Sequence, residues 1–411
     1  MALNLLKLLF KSRAQPQNFS NGSPFLFGKT SSGQIVNERT ALRTTAVFAC
    51  VRVLAESLAG LPLNLYYRKE NGAKVRNVTH PLYKLLHDCP NSEMTSFVFR
   101  ETLMTHLLIY GNAYAQIIRN GRGEISALYP LLPDKMRVSR DESGTLIYTY
   151  FSDKGEVTLT RRNILHIPAL GFDGVVGYSP IAMARNAIGA AIAVEEYGAA
   201  FFKNGANPGG ILEHPGTIKD VQRVKDSWNA GFQGSANAHK ISVLEDGMTY
   251  KQVGIPPNEA QFLETRKYSV SEICRLFKVP PHLVGDLERA TFSNIEHQSI
   301  DFVTHSVRPW VIRWEQCLQQ ALVADSERDL FIRFNLDGLL RGDYETRMKG
   351  YSIGIQNGFL SPNDVRRLED LNPISDPAGD KYFFNGNMLP IDLAAAGINY
   401  GAEEIKEDLH G

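Results

Sequence analysis

Between Thr40 and Leu58, apolar residues recur at helical spacing (Val47, Val51, Leu54, Leu58), which places them on one helix face. Gly60-Leu61-Pro62 ends that pattern, and Leu63 to Tyr67 then alternates as a strand does. Phe97 to Tyr110 is a second helical pattern, closed by Gly111. Ala113 to Arg119 and Glu124 to Tyr129 read as the arms of a hairpin turning at Asn120-Gly121. Short strands follow at Val138 to Arg140, Leu146 to Phe151, Val157 to Leu159 and Ile164 to Ile167. The opening 175 or so residues thus predict a mixed α+β domain.

Beyond it the periodicity lengthens. Ser179 is a good N-cap and Pro180 suits the first helical position, so one helix is expected from there to about Asn204, roughly 40 Å long. Small residues dominate part of it, including Ala187, Gly189, Ala190, Ala191, Gly198 and Ala199. Small side chains let helices approach closely, so Ala187, Ala190, Ala191 and Ala199 are candidates for contact with a neighbouring helix, in this chain or in another subunit. Residues 205 to 257 read as a βαββ unit. Its strands are expected at 210–213, 240–244 and 249–253, with a helix capped by Thr217 and a turn at Asp246-Gly247. Glu259 to Phe277 is helical again. Pro280-Pro281 must end it, because neither ring nitrogen can donate a hydrogen bond. A polar segment follows, and a new helix is expected from about Glu296 to Ala324, kinked at Pro309. Leu330 to Asn335 reads as a strand; helices are expected near 343–354 and after Ser361-Pro362. Residues 11–39 are rich in Ser, Asn, Gly and Gln and are expected to form a flexible arm. Met1 to Phe10 resembles a signal peptide, but Lys7 interrupts the apolar run and no cleavage site follows; a short amphipathic or docking helix is expected instead.

Composition narrows the function classes. The chain has 411 residues and 43% hydrophobic content, enough for more than one packed sub-structure. Lys+Arg and Asp+Glu both number 44. That balance argues against a tight nucleic-acid binder and suits a surface past which a polyanion slides. No apolar run approaches the length of a membrane span. Cys50, Cys89, Cys274 and Cys317 lie far apart without a C-x-x-C, which reads as reduced structural thiols.

Candidate chemistry is sparse. Gly22 to Thr30 ends like a phosphate-binding loop, but five residues separate its glycines where the motif has four. His282, His297 and His305 lack metal-ligand spacing, and His297 with Asp301 reads as a surface pair. There is no G-x-S-x-G, and adjacent carboxylates such as Glu195-Glu196 point to different sides of a helix. Trp310 and Trp314 share a face and read as core. A metal, a cofactor and a catalytic constellation are all unsupported.

The stretch from Val279 to Asp301, V-P-P-H-L-V-G-D-L-E-R-A-T-F-S-N-I-E-H-Q-S-I-D, resembles the portal proteins of tailed bacteriophages, the HK97-like group, and the resemblance extends from about Thr40 to about Pro390. It implies an α+β portal fold and the following division. Residues 1–39 would be the arm, 40–177 and 298–342 the wing, 178–204 and 258–285 the stem, 205–257 the clip, 286–297 the tunnel loop, and 343–411 a small crown with the C-terminal tail. It further implies a dodecameric ring at one capsid vertex, through which double-stranded DNA passes without ATP hydrolysis by the ring. The implied partners are the terminase large subunit, a head–tail adaptor and the major capsid protein, with no membrane and no cofactor. On this pattern Arg289, Thr291, Phe292, Ser293 and Asn294 would face the channel, and the small-residue face would meet a neighbouring subunit. Two rivals differ in class. A nucleic-acid-processing enzyme would need clustered acidic or histidine ligands, and a head-completion adaptor would be a shorter chain.

Overall fold

The computed structural model describes residues 30–70, 72–203, 210–232, 244, 247–252, 259–287, 292–336, 339, 344–369 and 371–383. The chain divides into two compact units, one up to Leu336 and one from Asp337.

The first unit is built on helix α1 (Thr45–Ala59), which buries Val47, Cys50, Val51, Leu54 and Leu58 along one stripe. Strand β1 (Leu63–Arg68) follows, then β2 (Lys74–Arg76), α2 (Pro81–His87) and α3 (Ser96–Tyr110). Thr95 caps α3 by accepting the Val98 amide, and α3 packs against α1. Strands β3 (Asn112–Arg119), β4 (Ile125–Leu131), β5 (Met136–Arg140), β6 (Leu146–Ser152), β7 (Gly155–Thr160) and β8 (Ile164–Pro168) complete the first half.

The next elements are α4 (Arg185–Lys203), β9 (Gly210–Glu213), α5 (Val221–Phe232), β10 (Thr249–Gln252), α6 (Glu259–Phe277), α7 (Phe292–Asp301), α8 (Arg308–Leu322) and β11 (Leu330–Phe334). Among the described residues all the strand pairing is antiparallel, in four small sheets ordered β11-β1-β2, β4-β3-β8, β5-β6-β7 and β9-β10.

The outer edge of β11 is covered by helix side chains. Glu315 accepts the Phe334 amide at 2.8 Å and pairs with Arg333. One helical turn on, Gln319 accepts the Ile332 amide at 3.1 Å and donates to the Leu330 carbonyl at 2.8 Å. A helical turn advances about as far as two strand residues, so positions four apart on α8 match alternate residues of β11. This leaves fewer free groups on the edge for another strand to pair with. Trp314 is fully buried between them and meets Phe334 edge-on, as the core reading expected.

Tyr114 on β3 is fully buried and stacks on His166 of β8 at 4.5 Å between centroids. His166 Nε2 lies 3.2 Å from Asn112 Oδ1, which also accepts the Gly177 amide. That oxygen is an acceptor, so Nε2 carries the imidazole proton, and Nδ1 faces the Tyr148 hydroxyl at 3.4 Å. Burial, aided by Arg161, pushes His166 down to about 3, and burial pushes His106 of α3 down to about 4. Both stay neutral in the fold, whereas the unfolded chain takes up their protons below about 6.5. Stability is therefore expected to fall on acidification from about pH 6.5 towards pH 4, by up to roughly 1.4 kcal/mol per pH unit for each histidine. Urea melts across that range check it; a His166→Gln variant with an unchanged slope would remove His166 from the account.

Several boundaries differ from the sequence expectation. The hairpin glycine at positive φ is Gly123, not Gly121, because Asn120 Oδ1 accepts both the Arg122 and Glu124 amides and widens the loop. The expected helix from Ser179 to Asn204 is broken after a single turn (Pro180–Met183), with Ala184 outside helical geometry. Its second part, α4, is 19 residues long, about 28 Å. Helix α5 starts at Val221, not after Thr217, and Asp220 accepts the Arg223 amide there. Around Pro309 the helix widens into a π segment, Phe302–Val307, and Pro309 sits in the first turn of α8, where its missing N–H is tolerated.

The second unit contains α9 (Tyr344–Gln356) and α10 (Pro362–Leu368), near the expected positions. Ser361 and Asp364 form a reciprocal capping box, and Glu369 accepts from Arg347 and from the Tyr351 hydroxyl.

Candidate functional site: the paired long helices and the segment that follows them

Helices α4 and α6 pack on each other. Gly198 makes this possible: a Cβ there would lie 2.7 Å from Phe262 Cζ, and Tyr197 and Phe262 have ring centroids 6.1 Å apart. The other small position, Gly189, is covered by Thr30, whose side chain lies 2.7 Å from where a Cβ would be. Gln34 donates to Glu196 Oε2 at 2.6 Å, and the Ser31 amide lies 3.4 Å from Asn186 Oδ1. Residues 30–36 are thus docked on α4, with Thr30 and Val36 buried, which corrects the expectation of a flexible arm reaching residue 39. Residues 1–29, including the loop-like Gly22 to Lys29 stretch, lie outside the described residues.

The small-residue face therefore serves this chain's own packing in part. Ala191 is 4% exposed, so it is not free to meet another subunit, contrary to its place among the interface candidates. Ala187 is half-buried, while Ala190 and Ala199 are exposed and remain available.

The C-terminal end of α6 is anchored to α1. Ile273, Cys274 and Phe277 are buried, and Cys274 Sγ lies 4.0 Å from Cys50 Sγ on α1. The two cysteines are separated by 224 positions, so sequence spacing held no signal of their meeting. Lys278 then turns the chain with φ +54°, left-handed backbone that a residue with a Cβ rarely adopts, and the Val279 amide returns to the Cys274 carbonyl. Pro280 leads into a single 3₁₀ turn, Pro281–Val284, closed by Gly285 at φ +89°.

Two hydrogen bonds clamp the base of the segment that follows. His282 Nδ1 lies 2.8 Å from Gln298 Oε1 on α7, and Ser306 Oγ donates to the Lys278 carbonyl at 2.5 Å. Beside them runs a groove of about 1070 Å³ between α6, the 3₁₀ turn and α7, with both charge signs on its wall (Glu264, Lys267, Arg275, Asp286). Arg289 and Thr291 fall outside the described residues. Phe292, Ser293 and Asn294 form the first turn of α7, which begins four positions before the expected Glu296. Among the described residues, no helix is long and apolar enough to cross a membrane.

A fold of small antiparallel sheets, two paired long helices bracketing a small βα module, and a clamped segment leading into a π-interrupted helix matches known proteins along most of its length. The family model for phage portal protein matches residues 45–370. The chain is 37% identical to the probable portal protein of Streptomyces phage phiC31, over 89% of this chain and 82% of that protein.

The chain belongs to the phage portal protein family.

The portal protein of Enterobacteria phage HK97 is 33% identical, over 87% of this chain and 85% of that protein, which sets the chain in the HK97-like group. Among solved structures, a chain from the neck of an empty GTA particle superposes with a TM-score of 0.61 at 23% identity, covering 89% of this chain and 99% of that one. An HK97 family phage portal protein from Corynebacterium diphtheriae gives 0.54 at 17% identity, over 73% of this chain and 95% of that one. These likenesses identify the α+β architecture as the portal fold. The function is that of a phage portal at the capsid vertex, and portal proteins are structural parts of the virion, not an enzyme family.

Proposed function

We propose that twelve copies of this chain close a ring, and that double-stranded DNA enters and leaves the capsid through its centre. The family match across residues 45–370 carries this reading, and the native GTA neck, computed with C12 symmetry, supports the subunit number. Residues 40–177 and 298–342 form the wing, 178–204 and 258–285 the stem, 205–257 the clip, and 343–411 the crown and tail. Residues 286–297, of which 292–297 begin helix α7, serve as the tunnel segment. The terminase large subunit and a head–tail adaptor meet the clip side, and the major capsid protein surrounds the wing. The ring assembles in the host cytoplasm and itself hydrolyses no nucleotide.

The physics of the role suits this chain. Closing a cyclic ring needs two different complementary patches per subunit, and the exposed Ala190 and Ala199 stretch of α4 contributes to one of them. A channel wall must touch a sliding polyanion weakly, since each firm phosphate contact adds to the hold on the duplex. The segment Leu287 to Asn294 has one cation, one anion and otherwise neutral groups, and its base is clamped by His282–Gln298 and Ser306–Lys278. Such a loop contacts DNA without gripping it.

Native mass measurement and negative-stain imaging of the purified protein test the ring. The expected result is an annulus with a central hole and a mass twelve times the 45.8 kDa of one chain. A monomer or dimer at high concentration, with no rings at any salt concentration, would overturn the reading. A variant with Arg289, Phe292 and Asn294 all changed to alanine is expected to form the same ring and to protect severalfold less DNA from nuclease. Unchanged packaging would remove these residues from the channel wall.

A further inference from the structure

The Cys50 and Cys274 thiols are 4.0 Å apart, and their surroundings are unequal. Cys50 lies in the middle of α1 with no exposed surface. Cys274 lies in the last turn of α6 and forms part of the wall of a cleft of about 450 Å³. That wall also carries Ser271, Arg275, Lys278, Asp301 and His305. Two of these are fixed cations and one is a fixed anion, so the cleft favours a small anionic guest that brings sulfur to Cys274.

We propose that Cys274 and Cys50 form a reactive dithiol that exchanges with a small anionic disulfide through this cleft and closes to an intrachain disulfide. Cys274, as the thiolate, attacks one sulfur of the guest. Its Sγ–S bond forms as the guest's S–S bond breaks, and one guest thiolate leaves and takes up a proton. Cys50 then loses its proton and attacks Cys274 Sγ. The Cys50–Cys274 bond forms, the mixed disulfide breaks, and the second guest half leaves as a thiol. Two protein thiols are thereby oxidised by two electrons, and one guest disulfide is reduced to two thiols.

The order of attack follows from position. Cys274 is only 2% exposed but lines the cleft, whereas Cys50 has no exposed surface and does not line it, so the guest meets Cys274 first and Cys50 can only resolve the product. The hydrogen bond from Cys50 holds the Cys274 thiol below its ordinary value against the opposing effect of burial, which favours the attacking thiolate. The same contact, together with burial, pushes the Cys50 thiol up. Closing the bond requires the two sulfurs, now 4.0 Å apart, to approach by about 2 Å. The product ties α1 to α6, the helix that leads into the channel segment.

Oxidised glutathione is the probe, applied to protein in which the exposed Cys89 and the half-buried Cys317 are both changed to serine. After quenching by alkylation, peptide mass mapping is expected to find Cys50 and Cys274 linked, with a melting temperature that rises and returns with dithiothreitol. Cys50→Ser is expected to trap glutathione on Cys274, whereas Cys274→Ser leaves Cys50 unmodified. Recovery of both cysteines as free, alkylatable thiols would overturn the proposal. So would glutathione on Cys50 in the Cys274→Ser variant to the same extent as on Cys274 in the Cys50→Ser variant. Should either single variant fail to fold, the linked peptide in the background protein decides alone.

Discussion

Replacing Gly111 with alanine is expected to abolish most of the folded protein. Gly111 ends α3 with φ +77°, and its amide returns to the Leu107 carbonyl. A side chain in that left-handed region costs about 1–2 kcal/mol by itself. Steric overlap costs more. A Cβ would stand 2.0 Å from the Tyr178 carbonyl oxygen and 2.8 Å from the Ser179 nitrogen, both main-chain atoms that cannot rotate away. Ser179 cannot move freely either, because its hydroxyl donates to the Ile109 carbonyl at 2.6 Å and caps the turn that precedes α4.

The neighbouring Asn112 closes the same junction, accepting the Gly177 amide and donating to its carbonyl. The turn that precedes α4 therefore starts against the end of α3, and the clash would be relieved only by undoing that start. A loss of about 4 kcal/mol or more is expected, within the range reserved for a few severe mechanisms. Gly144, at φ +85° with open space around it, is the control: Gly144→Ala should cost only the backbone strain. Soluble yield and thermal melting compare the two, and equal behaviour would show that close approach at Gly111 contributes nothing.

Arg100→Met is expected to be the next most damaging change. Arg100 is only 6% exposed, and its hydrogen bonds go to carbonyls: Nε and Nη2 to Ala59 at 3.2 and 2.8 Å, and Nη1 to Leu86 at 3.0 Å. Ala59 ends α1 and Leu86 lies in the last turn of α2, so one guanidinium serves the negative ends of two helices. Burial lowers its pKa to about 10, which leaves it charged at neutral pH. Methionine keeps much of the volume but strands carbonyl acceptors in the interior. About 3 kcal/mol of destabilisation is expected, read as a lower urea midpoint. Arg100→Lys should fall between, because a single ammonium cannot fork towards both helices. A methionine variant as stable as the parent would mean that water already satisfies those carbonyls.

Local pattern and local chemistry made much of this architecture readable. The apolar stripe at Val47, Val51, Leu54 and Leu58 is the buried face of α1, and Pro280-Pro281 follow the end of α6 at Phe277. Ser361-Pro362 opens α10 with the cap its residue types allow. The boundaries that moved did so through contacts between side chain and backbone: Asp220 in place of Thr217, and Asn120 shifting the left-handed glycine to Gly123. The break near Ala184 was hidden because every residue from Pro180 to Lys203 is compatible with one helix. The single turn before the break is capped by Ser179, which is held to the end of α3 through the Ile109 carbonyl.

The sequence alone determined the α+β class, the pair of long helices around a small β-containing module, and the portal-like segment at 279–301. These are properties of short-range periodicity, proline and glycine placement, and a long run of family-specific residues. Only the tertiary structure decided that Ala191 is occupied within the chain, that residues 30–36 lie on α4, that Cys50 faces Cys274, and that Arg100 closes two helix ends. Each of these depends on which surfaces meet after distant segments collapse together. A side chain's spacing along the chain states which face it occupies, but not what the opposite surface will bring.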